Sequence, residues 1–148
     1  MIRIELLLLI VLATSGCDSA PEYQLTPAIL EGDVGKVQQL LDDGVDVNWR
    51  PGGTGLTPLS IAASHGQLRI AGFLIKRGAD PNLTNALGEV PLLFAAYNGD
   101  LEMCRLLIAA GADVNWRGGR YQHSPLEDAI RQGHRDVEQL LRKSGAKG

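Results

Sequence analysis

A chain of 148 residues with 14 Lys+Arg, 17 Asp+Glu and a net charge of −3 is the size of one domain and lacks the bulk basic charge that holds nucleic acid. Aromatic residues are 5% against 45% hydrophobic, so the apolar mass is Leu, Ala, Val and Ile, which favours packed helices over an aromatic-filled sandwich. Two cysteines exclude a disulfide-dense scaffold, and 18 glycines pose a choice between low complexity and regularly placed turns.

The first element is an unbroken apolar run over residues 6–13, behind a short head holding Arg3 and Glu5. Eight helical residues span about 12 Å, well short of the roughly 30 Å hydrocarbon core, so this is no membrane span. It has the length of a secretory signal's apolar region. Ala13-Thr14-Ser15-Gly16-Cys17 resembles a bacterial lipobox, with Thr14 where Leu is usual. Residues 1–16 are therefore expected to be a lipoprotein-type signal peptide, cleaved before Cys17. A lipidated Cys17 would anchor the chain to a membrane on the periplasmic face of a bacterial envelope. A plain signal peptide cleaved nearby and an uncleaved anchor are the alternatives. Residues 17–24 are polar, include Pro21, and read as a linker; 25–148 read as the folded domain.

The rest of the chain is periodic. Gly32, Gly66, Gly99 and Gly133 are separated by 34, 33 and 34 residues, and Gly44, Gly78, Gly111 and Gly145 by the same steps. Pro58, Pro91 and Pro125, and Asn48, Asn82 and Asn115, keep the same register. Within one unit, Thr57 is placed to cap a short helix and Pro58 to occupy its first turn, where its missing N–H costs nothing. Gly66 closes that helix, a second runs over Leu68–Lys76 with Leu68, Ile70, Ala71, Leu74 and Ile75 inward, and Gly78 closes it. Ala79-Asp80-Pro81-Asn82 then turns the chain into an extended hairpin. Neither helix buries its apolar face alone, whereas stacked copies do.

Thr57-Pro58-Leu59, Ala62-Ala63, Gly66 and Gly78-Ala79-Asp80-Pro81-Asn82, with their counterparts in the other units, resemble the ankyrin repeat. The resemblance implies a mainly α solenoid of about four helix–turn–helix units joined by β-hairpin loops, at about 25–48, 53–82, 86–115 and 120–148. Ser60, Leu93 and Glu127 stand where that family usually has His, so bonds made there are expected to be weakened or replaced. The family binds other proteins through its hairpin tips and short first helices.

The two longer tips both begin Trp-Arg, at Trp49-Arg50 and Trp116-Arg117, and hold both tryptophans. Trp, Tyr and Arg are enriched at binding hot spots, so these side chains either contact a partner or pack on the neighbouring tip and stiffen it. The candidate partner-binding set is Trp49, Arg50, Leu56, His65, Tyr97, Asn98, Trp116, Arg117, Arg120 and Tyr121. His65, Tyr97 and Asn98 fall at the ends of first helices, and Tyr97 is otherwise a surface tyrosine without a role. Residues 18–102 carry −6 and 103–148 carry +3, so the C-terminal end with Arg117, Arg120 and Arg131 either steers an acidic partner or is an ordinary charged cap.

Chemistry is not expected. His65, His123 and His134 do not fall at metal-ligand spacing, Cys104 reads as a buried small hydrophobe, and the paired glycines Gly52-Gly53 and Gly118-Gly119 read as tips rather than phosphate cradles. No cofactor, metal or nucleic acid is implied. The expectation is a monomeric, non-catalytic exported adaptor or immunity-type inhibitor of a protein partner; the alternative is an envelope or stress-protective protein supporting a neighbouring enzyme.

Overall fold

The computed structural model describes residues 20–53 and 55–148; the expected signal peptide and Cys17 lie outside them. Eight α-helices follow in chain order among the described residues: α1 (Pro21–Leu30), α2 (Val34–Asp42), α3 (Pro58–Ser64), α4 (Leu68–Lys76), α5 (Pro91–Asn98), α6 (Leu101–Ala109), α7 (Pro125–Gln132) and α8 (Arg135–Lys143). They pair as four helix–turn–helix units. The first helices α1, α3, α5 and α7 stack in one row, the second helices in another, and the first row packs more closely. A double row with unequal spacing curves toward its closer side, so the first helices and the tips beside them form the concave face.

Close packing in that row follows from small side chains. Ala62, Ala63, Ala95, Ala96 and Ala129 are buried there, and Leu59, Leu92 and Leu126 fill the layer between rows. The second helices contribute Val37, Leu74, Leu107 and Leu141, all at or near zero exposure. Leu68, expected inward, is 39% exposed because it opens α4 on the outer face, and Ile75 is half-buried.

Helix starts use the predicted chemistry. Thr57 Oγ1 accepts the Ser60 N–H at 3.0 Å, and Pro58, Pro91 and Pro125 each open a helix. Ser124 and Glu127 form a reciprocal capping box. Both glycine series have positive φ, 66–78° for the first and 91–95° for the second. Gly99 is additionally confined: a methyl there would stand 2.5 Å from the His134 ring.

Two ladders of side-chain bonds tie unit to unit. Asn48, Asn82 and Asn115 accept the N–H of Asp80, Asp113 and Lys147 at 2.9, 2.8 and 2.9 Å. Their amides donate to the Gly78, Gly111 and Gly145 carbonyls at 3.5, 3.0 and 3.2 Å. On the inner side, Gln67 and Asn98 donate to the carbonyls of Leu30 and Ser64 at 3.5 and 3.0 Å, and His134 Nε2 lies 3.0 Å from that of Tyr97. Ser60 turns to Thr57, hydroxyl to hydroxyl at 3.0 Å.

One expectation is corrected. Residues 21–24 are not linker: α1 begins at Pro21, Leu25 is fully buried, and Tyr23 packs edge-on against Trp49 with ring centroids 5.1 Å apart. The tips that join the units carry almost no strand pairing. Among the described residues the sole β-type pairing is one antiparallel bridge, Gly118 with His123. Side chains hold the tips instead, as where Asp46, Asp80 and Asp113 each accept the N–H of the asparagine two residues on.

Candidate functional site

The concave face carries a pocket of about 640 Å³ between the third and fourth units. Its floor is Leu93 and Phe94 of α5. One wall is the loop at Leu87 and Glu89, the other the tip 118–123, and α7 closes the end with Asp128, Arg131 and Gln132. Tyr97 stands at the rim.

The tip that forms this wall is fixed from three directions. Trp116 Nε1 donates to the Gly88 carbonyl at 3.0 Å. Gly118 lies against the same carbonyl, so closely that a methyl there would overlap its oxygen and stand 2.7 Å from Trp116 Nε1. Gln122 takes a left-handed φ of 56°, turning the chain so that His123 faces back into the unit. His123 Nδ1 then lies 2.8 Å from Asp128 Oδ1, and Arg131 Nη1 lies 3.3 Å from His123 Nε2. A guanidinium has no acceptor, so Nε2 accepts, the imidazole proton sits on Nδ1, and Asp128 receives it. Tyr121 stacks on the imidazole at 5.3 Å, with the planes 10° apart.

Burial dominates at Asp128 and pushes its carboxyl above the usual range, partly countered by the bond from His123. Glu127, one residue earlier, goes the other way: the Ser124 N–H and the Arg117 guanidinium, 2.5 Å away, hold its carboxyl below the usual range. Both ring nitrogens of His123 thus have partners, and the His–Asp pair ties the tip to α7.

The ten residues expected to bind a partner separate into two groups. Tyr97, Arg120 and Tyr121 come together at the pocket and are exposed. The others have partners inside the molecule. Trp49 packs on Tyr23, and Trp116 is half-buried and tied to Gly88. Arg50 donates to the Thr84 carbonyl at 2.7 Å, Arg117 pairs with Glu127, and Asn98 belongs to the inner ladder. Leu56 packs against the core, and His65 Nδ1 lies 2.9 Å from Ser64 Oγ and 3.1 Å from the Ile61 carbonyl.

The pocket residues missed from sequence are His123 and Asp128. One signal was available: Asp128 occupies the place in its unit that Ile61 and Phe94 hold in theirs, a carboxylate in an apolar column. Cys104 is fully buried as expected, and burial, then the nearby Asp100 charge, pushes its thiol up to about 12.

The family model for ankyrin repeats in three copies matches residues 4–85 and 59–148. The chain belongs to the ankyrin-repeat family. Ankyrin repeats generally bind other proteins and are generally non-catalytic. The chain is 41% identical to the mouse 2-5A-dependent ribonuclease over 61 residues, 41% of this chain and 8% of that protein. It is 49% identical to the Caenorhabditis elegans ankyrin repeat and KH domain-containing protein mask-1 over 47 residues, 32% of this chain and 2% of that one. It is 42% identical to the zebrafish (Danio rerio) ankyrin repeat and SAM domain-containing protein 6 over 64 residues, 43% of this chain and 9% of that one. These ankyrin matches span less than a tenth of each relative's length.

Proposed function

We propose that this protein is an exported, lipid-anchored adaptor or inhibitor that binds one protein partner in the pocket between its third and fourth repeats. The observation that carries the reading is the meeting of Tyr97, Tyr121 and Arg120 over an apolar floor, on walls held rigid by the Trp116 and His123 contacts. A preorganised, concave, partly apolar site costs little ordering on binding. Export and anchoring rest on the apolar run at 6–13 and the small residues before Cys17. A tether of this kind would hold the module at the periplasmic face of the envelope, where an immunity-type inhibitor of a toxic effector would act.

Affinity isolation from an envelope extract tests the binding. The wild-type chain is expected to retain a specific partner that Tyr97→Ala with Tyr121→Ala loses, while Trp49→Phe retains it. Recovery of the same proteins by all variants contradicts the reading. Growth on radioactive palmitate tests the anchor: label at Cys17 is expected, and equal label on a Cys17→Ala chain refutes it.

A further inference from the structure

We infer that the occupant of this pocket is an acidic segment of the partner, presenting an apolar side chain beside a carboxylate. The inference rests on the protein-binding reading above and adds the chemistry of what is bound. Three large apolar side chains that are exposed line the same pocket: Leu87 at 54%, Tyr97 at 55% and Tyr121 at 72%. Exposed apolar surface gathered around a concavity marks a contact site rather than ordinary scatter.

The charges around it are unequally engaged. The two anions are already bonded within the protein: Glu89 Oε2 accepts from the Asn85 amide at 2.8 Å, and Asp128 accepts from His123. Arg120 forms no ion pair with another described residue, and Arg131, whose charge also bears on Asp128, makes one bond, to the His123 ring, which leaves its other donors for a ligand. The pocket therefore offers fork-shaped donors to an anion next to an apolar floor, and a planar carboxylate matches that fork.

The volume of about 640 Å³ lies within the roughly 300–1,000 Å³ of ligand-sized sites. It has room for a side chain or two and the backbone joining them, so recognition falls on a short segment. On the opposite face, the groove at Leu68 and Phe73 is also basic, with Arg69, Lys76 and Arg105, the last 3.5 Å from Glu102, but no exposed aromatic side chain lines it.

Panning a random-peptide phage library on the immobilised chain tests this. Selected peptides are expected to place Asp or Glu next to Leu, Phe, Tyr or Trp. Their affinity, measured on synthetic copies by fluorescence anisotropy, is expected to fall at least tenfold on Arg120→Glu with Arg131→Glu and to weaken with salt. Panning on the charge-reversed chain is expected to return basic peptides, which also shows that it folds. Neutral or basic peptides selected on the wild type, displaced by Tyr97→Ala, overturn the acidic inference and leave the protein-binding reading standing. Acidic peptides indifferent to the charge reversal, no selected peptide at all, or a self-associated chain dispersed by the same substitutions also overturn it. The protein-binding reading fails separately, if Tyr97→Ala with Tyr121→Ala leaves partner recovery unchanged.

Discussion

Asn82→Ala removes the middle rung of the asparagine ladder and asks whether the periodic asparagines couple the repeats. Two bonds are lost: the Asp113 N–H to Oδ1 at 2.8 Å, and the Asn82 amide to the Gly111 carbonyl at 3.0 Å. The turn within the asparagine's own repeat survives, because Asp80 still accepts the backbone N–H of residue 82. Each such bond contributes about 0.5–1.5 kcal/mol net. Both stand where water reaches the freed groups, so the expected loss is about 1.5–2 kcal/mol. Urea unfolding followed by circular dichroism reads it as a midpoint lower by about 1 M, for a slope of about 2 kcal/mol per M. Asn82→Asp keeps the acceptor but sets a carboxylate against the Gly111 carbonyl at the end of α6 and is expected to cost at least as much. An alanine variant within about 0.3 kcal/mol of wild type would refute the coupling role.

Gly118→Ala drives a methyl into the Gly88 carbonyl and breaks the Trp116 bond; a loss of about 2–4 kcal/mol is expected in the same assay, together with a red-shifted tryptophan emission. Cys104 is buried and its thiol is pushed up to about 12; in a Cys17→Ala chain it is expected to react with a thiol reagent at pH 8 only as fast as the protein opens, and rapid labelling without denaturant would contradict its place in the core. Glu127 has its folded carboxyl below the ordinary value of 4.5. Its contribution to stability is therefore present above that value and is lost as pH falls through the folded value. Glu127→Gln should flatten the acid limb of the stability–pH profile below about pH 5, and a limb as steep as wild type would count against the capping box as its cause.

The repeat architecture was legible because one backbone path recurs four times, and each recurrence needs the same residues where the path is demanding. Gly66 and Gly99 stand where φ is positive, Pro58 and Pro91 where an N–H is unwanted, and Asn82 and Asn115 where the next unit must be reached. The start of the domain was not legible, since α1 has Gln24 where the register places the opening proline and carries Pro27 inside the helix, so Pro21 read as linker. Tyr97, Arg120 and Tyr121 were picked out through residue type and place, and the structure sets them around one pocket. The tryptophans were picked out the same way, because a side chain that stiffens a tip and one that meets a partner have the same composition. In the structure they lie against the Tyr23 ring and the Gly88 carbonyl. His123 and Asp128 were missed because their contact depends on Gln122 turning the tip inward, a backbone choice that glutamine does not announce.

The central claim is that the pocket between the third and fourth repeats is where the partner sits. Site-specific photo-crosslinking tests it directly, with a benzophenone amino acid placed in turn at Tyr97, Tyr121 and Leu68 in the native host cell. One discrete adduct shared by positions 97 and 121 and absent from position 68, on the convex face, is the predicted result. An adduct that forms at position 68 and not at 97 or 121 would place the partner on the other side of the molecule and contradict the account.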